Sequence, residues 1–282
     1  MPASRARRYL RSPKGLLIIC FALLLALAAA AEGVPLVAPG VLAATLAAVA
    51  IDVPLLRWRA GRWMLPDGAL LTGLIVAMVL SPHEPAWTAA VTSAIAIVSK
   101  YVLRAARANV FNPAALALVI TFYLFDTGHS WWGALSEAPP WQIVALFATG
   151  MLVTDRVRKS ASVLAFLGVY FALVTGAAFA GDPARVAELY RIPNLNAALY
   201  FAFFMVTDPP TSPGRPRDQL VYGTITAVVA FAAFELIGAV WFLLAGVLAA
   251  NVNEAWRRTR SRRVRVELVE AARRAIGAEP AD

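Results

Sequence analysis

The chain has 282 residues, 60% of them hydrophobic and 15% charged, and its mean hydropathy is +0.66. That balance excludes a large soluble domain and places the chain among polytopic membrane proteins. The net charge of +9 would suit nucleic acid if it were clustered, but its distribution along the chain points to membrane orientation instead.

Residues 1–14 form a short basic arm carrying Arg5, Arg7, Arg8, Arg11 and Lys14. A first apolar span runs from about Gly15 to Ala31 and a second from about Leu36 to Ile51. Because the second follows at once, the first reads as an uncleaved span and not as a signal peptide. Arg57, Arg59 and Arg62 then make a basic connection, with Trp58 and Trp63 as interface anchors. Span three, about Gly68–Leu80, is short and ends at Ser81-Pro82-His83-Glu84-Pro85, and span four covers about Ala86–Leu103. Lys100 lies in its last turns, where snorkelling to the headgroups is the simplest expectation. After Arg104 and Arg107 comes Asn109-Val110-Phe111-Asn112-Pro113-Ala114-Ala115, which opens span five, ending near Phe125. Asn112 as N-cap with Pro113 at the first helical position is good helix-start chemistry.

Residues 126–140, with Trp131 and Trp132, carry acids and no Lys or Arg and read as an extracytoplasmic loop. Span six is about Trp141–Val153 and span seven about Ala161–Ala180, separated by Thr154, Asp155, Arg156, Arg158 and Lys159. Span eight begins near Leu195, runs about a dozen residues and stops at Thr207-Asp208-Pro209-Pro210-Thr211-Ser212-Pro213. A helix of that length cannot cross a hydrocarbon core of ~30 Å, which needs roughly 20 residues. Such a break is tolerated in a membrane only where it is buried in protein or lines a polar cavity, so it marks a candidate site. Spans nine (about Leu220–Phe234) and ten (about Ile237–Ala250) lead through Asn251, Asn253 and Glu254 into a basic tail, 255–282. The tail alternates basic and apolar positions, as a surface helix on anionic lipid does.

Ten spans put both termini on one face of the membrane. With that count, 24 Lys and Arg fall on the terminal side and only Arg185 and Arg191 on the other. The positive-inside rule then makes the termini cytoplasmic, in a bacterial inner membrane. Five spans followed by five (15–125 and 141–254) imply two inverted repeats, each with a short or broken third helix. Met78-Val79-Leu80-Ser81-Pro82 matches Met205-Val206-Thr207-Asp208-Pro209 at the two breaks. Interrupted helices at corresponding places in two halves point to a binding site. Asn109–Pro113 and Thr207–Pro213 both fall on the cytoplasmic side, where a positive helix end and Asn donors suit a polar, partly anionic, planar ligand.

Other chemistries lack their residues. The single cysteine, Cys20, excludes an intrachain disulfide and an all-cysteine iron–sulfur or zinc site within one chain. His83 and His129 lie in short polar connections, which argues against paired haem ligation from facing helices. There is no glycine-rich phosphate loop, metal-ligand spacing or hydrolase nucleophile. Every acid sits at a span end, so a proton or ion relay through mid-membrane carboxylates is not expected. Redox work would need an organic cofactor.

At N-V-F-N-P-A-A (109–115) and F-M-V-T-D-P-P-T-S-P (204–213) the chain resembles the NqrB/RnfD family, the membrane flavoprotein subunits of sodium-pumping NADH:quinone oxidoreductase and of the Rnf electron-transport complex. The resemblance covers roughly Leu71 to Asn253. It implies ten helices in two inverted halves and a non-covalent flavin, riboflavin or FMN, near Asn109, Asn112 and Pro113. Thr207, Asp208, Pro209 and Thr211 would line the same side, with Lys100 a candidate to stabilise an anionic ligand. The family also attaches FMN to the last threonine of an S/T-G-A-T motif. The nearest string here is Thr175-Gly176-Ala177-Ala178, and alanine has no oxygen to esterify, so covalent FMN is not expected.

Three function classes stay open. One is a flavin-binding subunit of an oxidoreductase or redox-driven ion translocase, with partner subunits and membrane lipid around it and no nucleic acid. The others are a small-solute transporter or channel on the same inverted-repeat fold, and an accessory membrane protein whose motifs only join two half-helices.

Overall fold

The computed structural model describes residues 3–10, 12–105, 108–181, 183–192 and 194–275. Arg11, Arg107 and the last seven residues of the basic tail lie outside them, as does the side chain of Arg185. The described chain is an all-α polytopic membrane protein. Twelve helices run in order: α1 (Ala3–Leu10), α2 (Pro13–Glu32), α3 (Val34–Ala60), α4 (Asp67–Val79), α5 (Ala86–Val102), α6 (Pro113–Phe125), α7 (Ile143–Val157), α8 (Ser160–Ala180), α9 (Pro183–Leu189), α10 (Asn194–Tyr200), α11 (Pro216–Ile237) and α12 (Phe242–Ala275). A two-residue hairpin, β1 (Arg104–Ala105) with β2 (Ala108–Asn109), joins α5 to α6.

Local chemistry sets the boundaries. Ser12 caps α2, its hydroxyl accepting from the Gly15 N–H at 3.2 Å, with Pro13 next in line. Gly33, at φ 103°, lets α3 start one residue after α2 stops. Four helices, α2, α3, α8 and α11, are long and apolar enough to cross a membrane alone, while Asp67–Val79, Ala86–Val102, Pro113–Phe125 and Asn194–Met205 are shorter apolar segments.

The packing repeats. In the first half α3 packs on α5 and α5 on α6; in the second, α8 packs on α11 and α11 on α12. These are the second-to-fourth and fourth-to-fifth pairings of each half, as two five-helix repeats require. Close approach uses small residues: a Cβ on Gly73 would meet the Ala44 carbonyl and Thr45 of α3, and one on Gly223 the Ser162 carbonyl of α8.

Two sequence expectations are corrected. α3 continues nine residues beyond Ile51, to Ala60, because Val53, Pro54, Leu55 and Leu56 extend the apolar run past Asp52. Asp52 is therefore an internal, 2% exposed acid and not a flank. The tail is not a separate surface helix: α12 carries the last span straight through to Ala275 in one 34-residue helix. Arg257 and Arg258 hold it at its exit, Arg257 to Asp218 and both to Glu254.

Loop 126–140 does more than connect. It fills the space that the short α4 leaves at the end of the bundle away from the basic connections. Ser130 and Trp131 N–H groups donate to the Val79 carbonyl at 3.0 and 3.1 Å, and the Trp132 indole N–H donates to the Ala77 carbonyl at 2.7 Å. Trp132 and Leu135 are buried, and the Asn196 amide of α10 donates to the Leu135 carbonyl at 3.2 Å. The irregular backbone is thus covered by protein, the condition a membrane imposes.

Candidate functional site

The broken span of the second repeat is α10 followed by one π turn, Phe201–Met205, in which the Val206 N–H donates to the Phe201 carbonyl at 3.0 Å. Such turns are rare and concentrate at functional sites. This one is held by aromatic packing. Phe204 and Tyr200 lie against Phe21 of α2, Phe201 against Phe166 of α8, and Phe203 against Phe147 of α7. Gly150 of α7 faces the Phe203 ring so closely that a Cβ there would collide with it.

The break ends against the start of α6, which comes from the other repeat. Asn112 caps α6 by accepting from the Ala115 N–H at 3.1 Å, and its side-chain amide donates to the Met205 carbonyl at 3.5 Å. Its backbone N–H donates to the Asn251 side chain of α12 at 2.7 Å, and Asn251 in turn donates to the Tyr222 hydroxyl of α11 at 2.6 Å. Four elements meet in one buried polar chain.

The segment after the break is fixed from several sides. Thr207 donates to the Phe203 carbonyl at 2.5 Å, and Thr211 to the Asp208 carboxylate at 2.7 Å. Lys159, at the start of α8, donates to the carbonyls of Ser212 (3.2 Å) and Pro213 (2.5 Å). Arg258 donates to those of Pro210 (2.7 Å) and Ser212 (2.9 Å). Burial pushes the Lys159 ammonium down to about 8, with the nearby Arg258 charge adding to the effect, against the opposing pull of Asp208 and Glu254.

Beside this junction is a cavity of about 630 Å³, within the ~300–1,000 Å³ range of small-molecule sites. Asn109, Asn112, Pro113, Thr207, Asp208, Pro209 and Lys100 all line it. Thr211 does not; it stands behind the wall and holds Asp208. The floor is buried (Asn112, Thr72, Phe204, Thr207), whereas the mouth is exposed at Pro13, Lys14, Arg59 and Pro209. Leu17, Leu71, Ile75 and Phe204 supply apolar walls. Asn109 reaches the cavity because the hairpin pairs it directly with Arg104, placing both on one face.

The sequence reading missed the most unusual group in the wall. Asp52 of α3 lies 3.7 Å from the Lys100 ammonium and accepts from the Tyr101 hydroxyl at 2.8 Å. An acid inside a membrane helix is therefore present, contrary to the expectation that all acids sit at span ends. Nor does Lys100 snorkel. Its side chain is 19% exposed, turned to Asp52, and near Gly68 at the start of α4. The available signal was the apolar run on both sides of Asp52. Intramembrane ions of this kind are paired and mark functional sites.

The donor set fits a flavin. An isoalloxazine ring presents carbonyl acceptors around an N–H on one edge and apolar faces elsewhere. The cavity offers an Asn109 amide and a Lys100 cation as donors, and the Thr207 hydroxyl oxygen, whose proton goes to Phe203, as an acceptor for the ring N–H, among apolar walls. Asn112 is largely committed to the fold, so its contribution is to shape the floor. On α8, Thr175 bonds the Phe171 carbonyl at 2.6 Å and the Tyr190 hydroxyl, and Ala178 follows three residues later with no oxygen to offer.

Residues 2–140 match the model of the NQR2, RnfD, RnfE family. That segment spans the first repeat, with the N-P-A motif, Asp52 and Lys100. No curated protein matches the chain.

Proposed function

The chain belongs to the NQR2, RnfD, RnfE family, and from that premise we propose that its cavity binds a non-covalent flavin through which the protein relays electrons. It is a multi-pass membrane subunit of the Nqr/Rnf type, and partner subunits belong with it. The observation that carries the flavin reading is convergence: six residues singled out in two distant motifs, together with Lys100, line one cavity where the two repeats meet. The basic connections gather at that end, which by the positive-inside rule is the cytoplasmic face of a bacterial inner membrane.

Each residue has a task in this reading. Asn109 and Thr207 hydrogen-bond the polar edge of the ligand, and Phe204, Leu71 and Ile75 pack on its faces and exclude water. Lys100 places a positive charge beside it, and Asp52 keeps that lysine in position. A bound flavin would supply the electron chemistry. With alanine at 178, one flavin site and not two is expected, so the relay within this chain is short and its donor and acceptor sit on partners.

The reading is tested by flavin content per folded protein. Asn112→Ala should lower it strongly by collapsing the floor, while Trp132→Ala, at the other end of the bundle, should leave it in place. Equal occupancy in both variants would remove the site assignment.

A further inference from the structure

Two lysine–aspartate pairs border the cavity, and they differ in how firmly they are held. Lys100 and Asp52 are enclosed, with side chains 19% and 3% exposed, whereas Lys14 is 61% exposed and its partner Asp67 16%. An ion pair that open to water is weak and readily broken. It nevertheless joins two walls of the mouth. Pro13, Lys14 and Leu17 come from the start of α2, and Asp67, Gly68 and Leu71 from the start of α4. The basic arm is tied to the same carboxylate. Lys14 donates to one oxygen of Asp67 at 2.7 Å, and the Tyr9 hydroxyl, near the end of α1, donates to the other at 3.4 Å. Burial and the Asp67 charge both raise the Tyr9 pKa, so the hydroxyl keeps its proton and stays a donor. The arm folds back tightly to reach this point. The Ser12 N–H donates to the Tyr9 carbonyl at 2.9 Å, and a Cβ on Gly15 would collide with the Tyr9 carbonyl and the Leu10 backbone.

We infer that the basic arm is a strap at the cavity mouth, latched by Lys14 and Tyr9 on Asp67, and that its release sets how fast the cavity exchanges its contents with solution. The inference concerns access and stands whichever ligand the cavity takes. While the latch is closed, one carboxylate holds the arm, the start of α2 and the start of α4 together. Opening it frees the arm to swing and the two walls to part. The enclosed Lys100–Asp52 pair is untouched by that movement, so the wall that would orient a ligand stays fixed while the mouth opens. The division of labour follows from exposure: the pair shielded from water is permanent, and the pair facing water is reversible.

The test is the rate at which N-ethylmaleimide, a neutral thiol reagent, labels a cysteine on the cavity floor. The parent carries Thr72→Cys with Cys20→Ala and is washed free of ligand in detergent. Two further variants release the strap by different routes. Lys14→Met/Tyr9→Phe removes the donors of the latch, and Gly15→Ala displaces the arm while keeping every charge. Each should label about threefold to tenfold faster than the parent, the range expected for losing a weak ion pair with one hydrogen bond. A thermal midpoint close to the parent's shows that the bundle is intact. Raised salt should speed labelling of the parent and leave Lys14→Met/Tyr9→Phe unchanged. Labelling at the parent's rate in both variants would overturn the strap. Faster labelling in Lys14→Met/Tyr9→Phe alone would assign the effect to charge beside the thiol and overturn it too, and faster labelling in Gly15→Ala alone would overturn the latch. If Gly15→Ala does not fold, the salt response of the parent against Lys14→Met/Tyr9→Phe decides. The assay reads no flavin, so its failure and the failure of the flavin reading are separate results.

Discussion

The two interrupted helices of this protein share a local sequence, M-V-L-S-P at 78–82 and M-V-T-D-P at 205–209, and meet opposite fates. The break after α4 is sealed. Loop 126–140 folds back over it, with Trp132 bonded to Ala77 and Trp131 and Ser130 to Val79. The break after the π turn is held just as firmly, by Lys159 and Arg258, but from behind, and its front faces a cavity of about 630 Å³. An interrupted membrane helix is therefore not in itself a site. What decides is whether the freed space is refilled by protein or left lined with polar groups.

That contrast can be broken from either side. Trp132→Ala should have the largest effect on stability, about 3–5 kcal/mol for a buried aromatic, with the Ala77 carbonyl also losing its donor. It should appear as a lower thermal midpoint in detergent with flavin per folded molecule unchanged. Loss of flavin at full stability would mean that the sealed break is a site as well.

Next comes the ion pair in the cavity wall. Asp52→Asn or Lys100→Met alone should cost about 3 kcal/mol or more by leaving a buried charge unpaired, whereas the double change should recover much of that. A double-mutant cycle in thermal unfolding measures the coupling. Additive losses would show that the pair contributes no coupling and that Asp52 does not position Lys100.

Asn112→Ala should cost about 1 kcal/mol as a lost N-cap, small beside its expected loss of flavin. Stability should also depend on pH. Lys159 titrates at about 8 when folded and near 10.5 when unfolded. The unfolded chain binds the extra proton between those values, so stability should rise from about pH 8 toward 10.5 and stay level below. Thermal midpoints across that range, in wild type and Lys159→Met, check it; a rise that persists in Lys159→Met would assign it elsewhere.

Much of this was legible in the residues. Asn112-Pro113 fixes the start of α6, because an N-cap and a first-turn proline can hardly mean anything else, and the apolar run before Asp208-Pro209-Pro210 fixes the short span. The sequence was less informative wherever tertiary packing overrode polarity. Asp52 read as the edge of a span because a charge normally ends one, yet Lys100 and Tyr101, nearly fifty residues away, make it tolerable inside a helix. The burial of loop 126–140 depends on α4 being too short to fill its column, and no local pattern announces that. Arg59 read as part of a basic connection, and only the fold places it over the cavity with Arg104.

The central claim is that the open break holds a flavin without a covalent bond. Its most direct test is the absorbance spectrum of detergent-purified protein, recorded before and after acid precipitation. The account predicts a flavin band in the native protein that leaves with the acid supernatant. A band that stays with the pellet, or folded protein that never carried one through gentle purification, would contradict it.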